Sequence, residues 1–93
     1  TSLVLNFVKH FAETGYQVFY ASTELKGYDV AEYLDSINGS RWDNPNFSFC
    51  DLGESGSLDD HLRMVEDRLS SGTRIVVLDN LTSYRDHTYL HKD

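Results

Sequence analysis

Three short apolar runs alternate with amphipathic stretches along this chain, and that alternation limits the fold more than any other feature. The runs are Val18-Phe19-Tyr20-Ala21, Phe47-Ser48-Phe49-Cys50 and Ile75-Val76-Val77-Leu78. Val18 to Ala21 is continuously apolar and partly β-branched and aromatic, the pattern of a strand covered on both faces, as in a parallel sheet. The first run continues through Ser22-Thr23 to Glu24, the second stops at Asp51 and the third at Asp79. In an open parallel sheet, ligands bind in the crevice outside the carboxyl ends of the strands. Acids delivered there by neighbouring strands are candidates for a water-activating base and a metal-holding group.

The stretches between the runs read as helices. Leu3 to Ala12 carries apolar residues at Val4, Phe7, Val8 and Phe11, widened by Leu3, Leu5 and Ala12, which predicts burial on more than one side. Gly15 suits the left-handed position after its end. A second helix is predicted with Asp29 as N-cap and Glu32 three residues on, with Val30, Leu34 and Ile37 inward and Asn38-Gly39 at its end. Ser57 and Asp60 predict the cap of a third, with Leu58, Leu62, Val65 and Leu69 as its apolar face and Gly72 as its stop. Between the second helix and the second strand, Ser40 to Asn46 is a polar loop carrying Trp42 and Pro45. The connections are short enough for right-handed crossovers. The expected fold class is therefore α/β, a parallel sheet with flanking helices. Three strands without a second helical layer make a poor free-standing sheet, so an incomplete domain is expected over 1–82, with 83–93 as a loop or frayed tail.

Composition sets outer bounds. At 93 residues the chain holds one small domain at most. A net charge of −7 argues against a free-standing nucleic-acid clamp, which needs Lys and Arg to neutralise phosphates. Cys50 is the single cysteine, which rules out an intrachain disulfide and favours a reducing compartment such as cytoplasm or an organelle matrix rather than secretion. No apolar run approaches the ~20 residues of a membrane span.

Nucleoside triphosphate hydrolysis needs phosphates cradled by backbone N–H groups, a magnesium ion held by hydroxyl and carboxylate oxygens, and a positioned water. The chain opens Thr1-Ser2-Leu3 at a helix start, as after the Gly-Lys of a Walker-A loop. Asp79, closing Ile-Val-Val-Leu, fits a Walker-B acid, and Glu24 fits the acid that orients or deprotonates water. Each has a plainer reading: Thr-Ser is ordinary capping, Asp79 a strand-end loop residue, and Glu24 a solvated acid before the second helix.

Taken together, Thr1-Ser2-Leu3-Val4-Leu5-Asn6-Phe7, Gly15 through Ser22-Thr23-Glu24, and Arg74 through Asp79-Asn80-Leu81 resemble the RecA-like P-loop ATPase core. The closest likeness is to hexameric replicative DNA helicases of the DnaB and Twinkle kind. Ser22-Thr23-Glu24 is similar to their Ser-x-Glu element and Asp79-Asn80-Leu81 to their Walker-B ending. The resemblance implies a fragment beginning just after the Walker-A Gly-Lys. It also implies ATP and Mg²⁺ as cofactors, with Thr1 and Asp79 (the latter through water) at the nucleotide-bound metal and Glu24 as catalytic base. Single-stranded DNA and neighbouring subunits of a homo-oligomeric ring are the implied partners, and DNA replication the implied process. The glycine-rich loop, its Lys, the γ-phosphate sensor, the DNA-contacting loops and the arginine finger are not among these residues, so the isolated chain is expected to be inactive.

A non-hydrolysing α/β partner-binding or signalling domain is the alternative, supported by the acidic balance and the missing phosphate loop. A Rossmann-type oxidoreductase ranks last, because no Gly-x-Gly-x-x-Gly turn occurs. His87 and His91 have the spacing of a helical metal pair without a helical pattern around them. His61, Arg63 and Arg68 read as solvent-facing helix positions, and Cys50 as a buried, inert thiol.

Overall fold

The computed structural model describes residues 2–53 and 56–79, so Thr1, the His87/His91 pair, Asn80-Leu81 and the expected tail lie outside the described residues. The elements run α1 (Ser2–Thr14), β1 (Val18–Ser22), α2 (Gly27–Asn38), β2 (Phe47–Asp51), α3 (Leu58–Ser70) and β3 (Ile75–Asp79). The three strands form one parallel sheet in the order β2-β1-β3, with Ser22 level with Asp51 on one side and Asp79 on the other. The α/β reading with a parallel sheet and flanking helices therefore stands.

Strand alternation sorts the core into two layers. Val18 and Tyr20 of β1, with Phe47 and Phe49 of β2 and Ile75 and Val77 of β3, meet Leu5, Val8 and Ala12 of α1 and Val30 and Leu34 of α2. Phe19 and Ala21 point the other way, to Leu52, Cys50, Met64 of α3, Val76 and Leu78. A second helical layer is thus present, supplied by α3. The two crossovers run in opposite directions across the sheet, and two crossovers of one hand must then place α2 and α3 on opposite faces. All five residues of β1 are buried, as its apolar run predicts for a central strand.

The helices depart from their sequence patterns in instructive ways. In α1 the buried side is Leu5, Val8 and Ala12, whereas Leu3 is 67 % and Phe7 54 % exposed, so burial is one-sided. The cap of α2 sits three residues earlier than expected. Lys26 is its N-cap, and Asp29 is the third helical residue, whose Oδ2 accepts from the Lys26 backbone N–H at 3.3 Å. Gly39 closes α2 in the left-handed conformation, its N–H donating to Asp35 and Ser36 carbonyls.

The cap of α3 is as read: Ser57 Oγ accepts from Asp60 N–H at 3.2 Å, and Asp60 Oδ2 accepts from Ser57 N–H at 3.1 Å. Those bonds hold the Asp60 carboxyl below the usual carboxylate range, the Ser57 backbone N–H contributing most. A depressed folded-state value means the cap is fully formed above about pH 4 and is lost as pH falls through that lowered value.

The face of α3 is rotated from the expected one. Leu62 and Leu69 are exposed, while His61 is buried, Met64 packs on the second layer and the Arg68 guanidinium lies 4.2 Å over the Phe19 ring. The reading of His61 and Arg68 as solvent-facing is corrected: His61 is buried beside the Gly56 turn, and the stem and cationic head of Arg68 cover the Phe19 ring as well as a leucine would. Cys50 is half-buried rather than buried.

His61 also decides a loop. Gly56 has φ +84°, and a Cβ there would stand 2.8 Å from His61 Nε2. Gly39 has nearly the same φ, +80°, with nothing within 4 Å of a Cβ. Gly56→Ala is expected to cost more than Gly39→Ala, about 2–3 against about 1 kcal/mol, in urea titrations of the two variants. Equal costs would mean that backbone strain alone matters at both positions.

Candidate functional site

The carboxyl end of the sheet gathers the acids that the sequence singles out. After β1 the chain turns sharply because Ser22, fully buried, accepts at Oγ from the backbone N–H groups of Glu24 (3.1 Å) and Leu25 (2.9 Å). That turn lifts Glu24 out of the sheet as an exposed side chain at its rim. The Thr23 N–H donates to the Asp79 carbonyl at 2.9 Å, so the end of β3 is tied to the residue next to Glu24. Glu24 and Asp79 are therefore brought to one edge by adjacent strands.

Asp79 is half-buried, and its Oδ2 accepts a 2.9 Å hydrogen bond from the Tyr20 hydroxyl. Burial, then the Asp79 carboxylate and the charge of Glu24, push the Tyr20 phenol well above its ordinary value, so it stays protonated and donates. This partnership has no sequence signal, since it depends on two strands that lie 59 residues apart. On the other side of β1, Asp51 Oδ1 accepts from Gly53 N–H at 2.9 Å, and its Oδ2 lies 3.4 Å from Lys26 Nζ. Both partners of that ion pair are substantially exposed, so it contributes little to stability.

The short turn from α1 into β1 sends the helix back along the sheet. Asn46, just before β2, donates to the Ala12 carbonyl near the end of α1 at 3.0 Å. The C-terminal turn of α1 thus lies at the amino end of the strands, and its N-terminal turn is directed to the carboxyl end. Thr1 itself is outside the described residues. Among the described residues no three His, Cys, Asp or Glu side chains gather as a metal-binding group. Magnesium keeps several waters and takes one or two carboxylates beside substrate phosphates, so it does not require such a three-residue group.

Trp42 does not face the site. It packs against the first layer beside Phe47, with rings 5.6 Å apart, and its Nε1–H donates to Glu13 Oε2 at 2.9 Å. No described helix is long and apolar enough to cross a membrane.

The described residues form an α/β fold with a three-stranded parallel sheet and acids at its carboxyl end. Compared with known proteins, the chain matches no family model, no curated protein and no solved structure.

Proposed function

We propose that this chain is part of a RecA-like ATPase of the replicative-helicase kind, carrying the acidic half of a site that hydrolyses ATP and couples it to movement along single-stranded DNA. The observation that carries the reading is the tie between β1 and β3, in which Thr23, the neighbour of Glu24, donates to the Asp79 carbonyl at the end of the sheet toward which α1 directs its N-terminus. In this reading Asp79 and Thr1 are the residues that would hold the magnesium of the nucleotide. The metal supplies charge neutralisation at the phosphate oxygens. Glu24 accepts a proton at its carboxylate from the water that attacks the terminal phosphorus, the bond from that phosphorus to the bridging oxygen breaks, and ADP leaves as phosphate forms. An exposed carboxylate at the rim is open to the water it would deprotonate.

The reading requires a glycine-rich loop ending in Gly-Lys immediately before Thr1. The coding sequence upstream of Thr1 tests that directly, and any other sequence there contradicts it.

A second reading, a non-hydrolysing α/β domain that binds a partner, is favoured by one feature. Val4, Phe7, Val8 and Phe11 of α1 form an open apolar groove with Ile75 and Val77 of β3. That reading requires no Gly-Lys upstream and no magnesium-dependent turnover.

A further inference from the structure

We infer that Tyr20 is a positioning residue for Asp79: its hydroxyl fixes the plane of the carboxylate so that Oδ1 is presented at the carboxyl edge of the sheet. The inference rests on the reading of Asp79 as a holder of nucleotide-bound magnesium.

The reasoning begins with the side chain itself. Tyr20 is wholly buried in the central strand, and its ring meets Phe49 edge-on at 5.7 Å. Phenylalanine would fill that apolar space equally well, so the hydroxyl is what needs explaining, and a buried phenol requires a partner. The register places Tyr20 level with Val77, and Asp79 is two residues further along the same face of β3. The phenol therefore reaches along the sheet to its end, where the Asp79 carboxylate lies.

A purely structural role for this bond, pinning the end of β3, is already filled. The Thr23 N–H holds the Asp79 carbonyl, and the strand pairing holds the rest. What the phenol adds is control of the side chain. An aspartate has two rotatable bonds, and a 2.9 Å charge-assisted bond from an immobile donor restricts both. With Oδ2 engaged, the carboxylate meets a hydrated cation in one orientation, without first ordering itself. Preorganisation of this kind is worth most where a single protein carboxylate serves the ion.

The test uses the full-length protein with ADP, and Mn²⁺ as a paramagnetic probe whose free concentration is read by electron spin resonance. Tyr20→Phe, confirmed as folded by circular dichroism, is expected to weaken Mn²⁺·ADP binding about fivefold to tenfold, consistent with the ordinary net strength of a single hydrogen bond. Asp79→Asn is expected to weaken it at least as much. The double variant is expected to be no weaker than Asp79→Asn alone, because Tyr20 acts only through Asp79. Unchanged binding by Tyr20→Phe, or losses that simply add in the double variant, overturns the positioning role while leaving the functional reading in place. Failure of the wild-type protein to bind Mn²⁺·ADP overturns the functional reading, and the role falls with it.

Discussion

Glu24→Gln in the full-length protein is expected to lower magnesium-dependent ATP turnover by about 10²- to 10⁴-fold, the usual contribution of a positioned general base. Nucleotide affinity is expected to stay within about twofold, because Glu24 is exposed and the substitution keeps the shape of its side chain. The turn that presents it should also survive. Ser22 Oγ accepts from the Glu24 and Leu25 backbone N–H groups, and neither bond involves the Glu24 carboxylate. A steady-state phosphate-release assay beside equilibrium binding of a fluorescent ADP analogue separates the two effects. Turnover unchanged within twofold would remove Glu24 from the chemistry. Loss of binding and turnover together would make it a structural residue.

The second large effect is on stability. Phe19→Ala is expected to cost about 3–5 kcal/mol, the range for removing a buried aromatic ring from a core. Phe19 is wholly buried and anchors the thinner of the two layers, whose buried residues are Phe19, Ala21 and Leu52. The ring is also the surface on which the Arg68 guanidinium rests, so its loss frees α3 as well as opening a cavity. With a total stability of about 5–15 kcal/mol for a domain of this kind, the variant sits close to unfolding at 25 °C. In urea, with a slope of about 1.5 kcal/mol/M, the midpoint should fall by about 2–3 M. Amide hydrogen exchange should speed up first in α3 (Leu58–Ser70) and last in β1. A midpoint shift below about 0.5 M would show that α3 contributes little to the folded state.

The sheet was legible because parallel strands covered on both faces must be apolar throughout, and Val18 to Ala21 and Ile75 to Val77 have no polar interruption. The cap of α3 was legible for a similar reason, since Ser57 and Asp60 satisfy each other locally and need no tertiary information. The rotation of α3 was not legible. Leucines at 62 and 69 suggested an inward face, but contact with the sheet is made by Met64 and by Arg68, whose charged head conceals a large covering surface, and His61 is buried beside Gly56. The start of α2 was displaced because Asp29 can serve a helix end from inside the first turn as well as from the cap.

At the site, the two acids could be named from strand ends alone. Their environment could not. The bond from Tyr20 to Asp79 and the tie from Thr23 to the Asp79 carbonyl both depend on β1 lying between β2 and β3, an order that leaves no trace in local sequence. The same order makes the Glu24 turn common to both crevices at the carboxyl end, one toward Asp79 and the other toward Asp51 and Lys26. The connections leaving β1 and β2 pass to opposite faces of the sheet, the arrangement that opens a ligand crevice in α/β proteins.

The most direct measurement is phosphate release by the wild-type full-length protein with ATP, in magnesium and again with the metal chelated. Turnover that requires magnesium and disappears in Asp79→Asn is the result expected of an acidic half-site at the ends of β1 and β3. Absence of magnesium-dependent release, in a preparation shown to be folded, would contradict it.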